Sequence, residues 1–156
     1  MSELRVPVAA LPAEVLCTDG SVMRGRIFVP ATAAGHEGPT LPDEWMNRPA
    51  RFFPFLPDGD GRPLLLNKAT VVAVTVPAWA DEADPEMFAP APEREVVVEC
   101  GGRSFRGMVA LELPEHQRRV LDLLNQPGGF LTVRSTEHHH LIAKHHITRV
   151  VELAET

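Results

Sequence analysis

The sequence predicts a mainly β fold: two tandem five-stranded small barrels, each with a helical insert between its second and third strands. Two observations carry this. Three sequence blocks of the first half recur in the same order in the second, and nearly all of the net charge of −6 lies in the stretch between them. A repeat at this scale makes each half one structural unit. The expected division is residues 1–78 for the first barrel, 79–95 for an acidic, proline-rich linker and 96–156 for the second barrel.

In the first block, Cys17-Thr18-Asp19-Gly20-Ser21-Val22-Met23-Arg24-Gly25-Arg26-Ile27 answers to Cys100-Gly101-Gly102-Arg103-Ser104-Phe105-Arg106-Gly107-Met108-Val109. Each reads as an apolar strand, a glycine turn and a second strand opening on Arg-Gly. Met23, Gly25, Ile27 and Val29 share one face of that strand, as do Phe105, Gly107, Val109 and Leu111. A glycine at the same inward position of both copies predicts a bend or a close backbone approach.

The second block sets Trp45-Met46-Asn47-Arg48-Pro49-Ala50-Arg51-Phe52-Phe53 against Leu123-Leu124-Asn125-Gln126-Pro127-Gly128-Gly129-Phe130-Leu131. Each is a helix end, a turn and a new strand, because Asn tolerates the conformation that stops a helix and the following Pro prevents its continuation. Pro42-Asp43-Glu44 starts the first of these helices and Pro114–Asn125 spans the second, with Arg118 and Asp122 four apart on its surface. In the third block, Leu65-Leu66-Asn67-Lys68-Ala69-Thr70-Val71 answers to Leu141-Ile142-Ala143-Lys144-His145-His146-Ile147. A strand, a lysine and a short connection lead into a last β-branched strand, Val71–Val76 or Ile147–Val151. The Asp58-Gly59-Asp60-Gly61 run lacks the later oxygen ligands of a calcium loop and reads as a hairpin turn.

This order of elements resembles the Sm-like barrel, a five-stranded relative of the SH3-like barrels. Lys144-His145-His146-Ile147-Thr148-Arg149-Val150 is similar to the second motif of the bacterial RNA chaperone of that family. The resemblance implies an oligomer-forming small β-barrel and, through Lys144, His145 and His146, a capacity to bind RNA. The first copy departs from the motif, with Lys68-Ala69-Thr70-Val71 in its place, and the helical insert stands where the family has a short loop.

Charge weighs against RNA. Residues 1–78 hold 7 basic and 8 acidic side chains, residues 79–95 hold 1 and 6, and residues 96–156 hold 7 and 7. Neither half has the basic excess that phosphate-backbone binding requires. Cys17 and Cys100, the two cysteines, occupy equivalent first-strand positions and read as buried thiols acting as small hydrophobes. No apolar run is long enough for a membrane span and no leader is evident, so a reduced, cytoplasmic protein without membrane contact is expected.

His138, His139, His140, His145 and His146 crowd nine residues. On a strand His138 and His140 share a face, while strand alternation sends their neighbours to the other, so convergence on a metal is not expected. Several imidazoles charging together could instead make an interface respond to pH. Neither a Gly-rich phosphate loop nor Gly-x-Ser-x-Gly occurs. The expected protein is therefore a non-catalytic interaction or scaffold module, cofactor-free, pairing with a protein or with itself. The candidate binding residues are Lys144, His145, His146, His138 and His140, and RNA binding is the alternative.

Overall fold

The computed structural model describes residues 8–33, 35, 37–59, 61–79, 92–114, 116 and 119–153. The first half runs β1 (Val8–Cys17), β2 (Val22–Pro30), α1 (Pro42–Met46), β3 (Phe52–Pro57), β4 (Leu64–Asn67) and β5 (Val71–Pro77). The second runs β6 (Glu93–Cys100), β7 (Arg103–Ala110), α2 (Val120–Leu124), β8 (Phe130–Arg134), β9 (His138–Ala143) and β10 (Ile147–Glu152). A single 3₁₀ turn, Lys68–Thr70 or Lys144–His146, leads into the last strand of each half.

All ten strands join in one antiparallel sheet that does not close, in the order β10-β6-β7-β8-β9-β5-β1-β2-β3-β4. Within each half the order is last, first, second, third, fourth. The halves meet where β5 pairs with β9, Val74 opposite Leu141 and Thr75 opposite His140. Both strands are interior because both faces are apolar: Val71, Val74, Val76 and Leu141 pack into one core, and Val72, Ala73 and Ile142 into the other. A strand buried on both faces is stable only with a sheet neighbour on each side. Each core therefore borrows from the other half. Phe130, Leu141 and Ala143 complete the first, and Leu16, Val72 and Ala73 complete the second.

Some boundaries differ from expectation. β1 begins at Val8, well ahead of the block that opens at Cys17, and Val8–Ala13 pair with β2 alone. β6 begins at Glu93, inside the predicted linker, where Glu93 faces Ala110. The helix predicted from Pro114 is in regular form only over Val120–Leu124, since Arg119 is extended (φ −121°, ψ 151°) and clasps Asp122 at 2.8 Å. The expected Arg118–Asp122 pair lies outside the described residues, as do His36 and residues 80–91 of the linker with Met87 and Phe88. Among the described residues no helix is long and apolar enough to cross a membrane.

Candidate functional site

The same local contacts recur in both halves. Gly25 sits opposite Ala13 and Gly107 opposite Val96 in the first hairpin of each. A Cβ on Gly25 would collide with the Leu56 carbonyl, and one on Gly107 with the Arg134 carbonyl. Both glycines thus mark the same close approach between second and third strands. Lys68 Nζ donates to the carbonyls of Met46 and Arg48 at 2.9 and 2.8 Å, and Lys144 Nζ to that of Gln126 at 2.9 Å. Each ammonium satisfies acceptors left over where its half's helix ends. Burial pushes both lysines below their ordinary range. Even the bulge between first and last strands recurs, at Leu16/Cys17 and at Ile147/Arg149. Cys17 and Cys100 lie beside these bulges as free thiols, Cys100 buried and pushed up by burial, Cys17 half-buried.

The histidines divide among different tasks along the seam between the halves. His139 is buried, its ring edge-on to Trp79 with centroids 4.2 Å apart. His140 turns to the other face, where Thr75 Oγ1 lies 2.8 Å from its Nδ1 and the Phe105 ring 5.0 Å away. Burial, then the neighbouring His138, hold its pKa below the ordinary histidine value, while Glu14 pulls the other way. His138 is exposed beside a cleft of about 230 Å³ that also holds Glu14, Arg24 and Asp58. His146 Nε2 lies 2.7 Å from the Ala69 carbonyl of the first half, and His145 meets His146 edge-on. Among the described residues no three His, Cys, Asp or Glu side chains group as metal ligands do. The five predicted binding residues are brought to one seam, but Lys144, His140 and His146 have their polar atoms on partners within the chain.

A second cleft of about 280 Å³ lies where α1 meets the second half, lined by Asp43, Asn47, Glu112, Phe130, Arg134 and Lys144. Asn47 Oδ1 accepts the Phe130 N–H there at 2.8 Å. Burial holds the Asp43 carboxyl above its ordinary range, against the Glu44 N–H that it accepts and the Arg134 charge, while the Glu44 charge adds to the rise.

Sequence reasoning missed the two ends of the sheet. Among the described residues β4 pairs only with β3, and β10 only with β6. On β3 and β4, Phe52 is 56% and Leu65 73% exposed, whereas their counterparts across the repeat, Phe130 and Leu141, are 7% and 0% exposed. Leu64, Val151 and Leu121 are exposed as well. Lys68 N donates to the Arg51 carbonyl at 2.8 Å, and ladder alternation then turns the Leu65 N–H and C=O outward, away from β3. The β10 edge is more polar: Arg149 pairs with Glu99, and Thr148 and Glu152 are exposed. Charge on an edge is a usual guard against indiscriminate strand pairing. β4 carries no charge between Leu64 and Asn67. The repeat blocks held the signal for this site, since they align Phe52 with Phe130 and Leu65 with Leu141.

No family model, no curated protein and no solved structure matches this chain.

Proposed function

We propose that this chain is a non-catalytic assembly module, a doubled Sm-like small barrel that works by strand pairing at the open β4 edge. In this reading residues 1–78 and 96–156 descend from one ancestral unit, each with its helical insert. The observation that carries the function is the outer edge of β4, which has no strand neighbour among the described residues, with Leu64, Leu65 and the neighbouring Phe52 exposed. Open backbone donors and acceptors flanked by apolar side chains suit the addition of an extended strand, with main-chain bonds giving affinity and side chains choosing the partner. An edge of this kind left bare invites aggregation, so a partner that covers it also protects the chain.

The RNA-binding reading draws on Lys144, His145 and His146. It is weaker, because the Lys144 ammonium is held by the Gln126 carbonyl and the chain carries net charge −6. The test of the assembly reading compares proteins retained from the native cell by the wild type and by Leu65→Lys, a second tagged copy of the chain included. The expected result is at least one protein that the wild type retains and the variant loses. Identical retention by the two would overturn the reading.

A further inference from the structure

We propose that the cleft between α1 and β8 binds a small aliphatic amino acid by both of its charged ends, the carboxylate against Asn47 and Lys144 and the ammonium against Asp43 and Glu112. This site is independent of the β4 edge. One of its walls is α1, the helical insert, which stands where the Sm-like family has a short loop.

The cleft of about 280 Å³ has two unlike ends. At one, Asn47 commits its Oδ1 to the Phe130 N–H, and its amide N–H groups have no partner among the described residues. An ammonium has three N–H groups. Lys144 uses one on the Gln126 carbonyl, where its counterpart Lys68 serves two carbonyls. This end offers donors and positive charge, which suit a carboxylate. At the other end stand the carboxylates of Asp43 and Glu112. Arg134, the cation beside them, also faces Glu93 at 4.0 Å, so that end is negative on balance. Burial already holds the Asp43 carboxyl above its ordinary range, and an ammonium placed there is attracted more strongly than in open water.

Between the ends the lining is apolar. Phe130 and Leu131 are buried and Leu123 half-buried, a stretch that suits methylene groups. Asp43 and Asn47 stand one helical turn apart, about 6 Å along α1. Phe130 and Arg134 lie about 13 Å apart along β8. A ligand whose two charges fall between those limits spans the trough. The carboxylates that attract its ammonium repel phosphate, so a nucleic acid does not fit the same groups.

The counterpart positions weigh against packing as the reason for these side chains. Across the repeat Asp43 answers to Leu121, Thr132 to Pro54 and Arg134 to Leu56, all apolar. The framework of strand and helix therefore forms without the polar set. Bringing charge into a seam costs desolvation that apolar side chains avoid. The polar set stands only where the two halves enclose a cleft, which assigns it to a ligand.

The test is isothermal titration calorimetry of the full chain with ε-aminocaproate, whose charged ends fall within that range when extended. Caproate and hexylamine each lack one charge, and γ-aminobutyrate is too short to reach both ends. Saturable binding of ε-aminocaproate is expected, with each of the three controls weaker by about tenfold or more, because each forgoes a charge-assisted contact. Asp43→Asn keeps the oxygen that accepts the Glu44 N–H and should weaken binding by about tenfold. Glu112→Gln, at an exposed position, should act in the same direction. Circular dichroism checks that both variants fold, and if Asp43→Asn does not, Glu112→Gln decides alone. Caproate binding as tightly as ε-aminocaproate would overturn the ammonium end, and hexylamine doing so would overturn the carboxylate end. Unchanged affinity in both folded variants would overturn the cleft as the site. No heat from ε-aminocaproate at about 10 mM would overturn the proposal outright.

Discussion

Asn47 Oδ1 holds the backbone N–H of Phe130 at 2.8 Å, a hydrogen bond across 83 residues that ties the end of α1 to the start of β8. Gly128 makes it possible. A Cβ there would stand 2.9 Å from the same oxygen, and its φ of +110° is one that residues with a side chain rarely adopt. Asn47→Ala leaves the Phe130 N–H facing a partly buried seam without its acceptor, at an expected cost of about 1–3 kcal/mol. Gly128→Ala should cost at least as much, through both the collision and the strained backbone. Urea unfolding measures the loss, and amide exchange at Phe130 shows whether the seam opens first.

The close approach at Gly25 and Gly107 gives a matched pair of predictions. Alanine at either position puts a methyl group into a backbone carbonyl, Leu56 in one half and Arg134 in the other. A carbonyl in a paired strand cannot step aside as a flexible side chain can, so each substitution is expected to cost about 3 kcal/mol. Similar losses of thermal stability in the two variants are the expected outcome. One tolerated alanine would show that the halves do not share this contact.

How much of this was legible in the sequence follows from the range of each interaction. Alternation put Ile27 and Val29 on one face of their strand and Val109 and Leu111 on one face of theirs, and all four are buried, because the strand period is a local property. The three blocks also paired Lys68 with Lys144 and Gly25 with Gly107, which occupy matching contacts. Neither the roles of the lysines nor the joining of the halves could be read. Lys144 looked available for a ligand because its acceptor, the Gln126 carbonyl, is backbone and leaves no trace in residue type. The expected linker separated the halves along the chain, while the β5–β9 pairing is set by which strands are apolar on both faces. Leu65 has the same residue type as Leu141, its buried counterpart in the block. Its exposure depends on the sheet ending there.

Because their ammonium groups cap helix ends, Lys68 and Lys144 should matter to stability more than to nucleic acid. Lys68→Met removes a donor serving two carbonyls and Lys144→Met one serving the Gln126 carbonyl. Each is partly solvated, so the expected losses are about 1 kcal/mol, the larger for Lys68. Fluorescence anisotropy with a labelled oligonucleotide should show no salt-dependent binding that Lys144→Met abolishes. A binding slope against salt that falls by about one phosphate contact in that variant would instead support the RNA reading.

Acid should loosen the seam through His140. Burial, and after it His138, lower its pKa in the folded protein from the ordinary 6.5. The unfolded chain therefore binds the proton more readily, and protonation favours unfolding. The stability tied to neutral His140 is in full force above pH 6.5 and is lost as pH falls through the lower folded value. Thr75 Oγ1, 2.8 Å from Nδ1, feels the change directly, because a protonated ring can only donate to the hydroxyl. His140→Gln keeps a polar partner for Thr75 without the titration. Thermal unfolding followed between about pH 8 and pH 5 should fall for the wild type and flatten for the variant. Equal slopes for the two would show that the acid sensitivity does not come from His140.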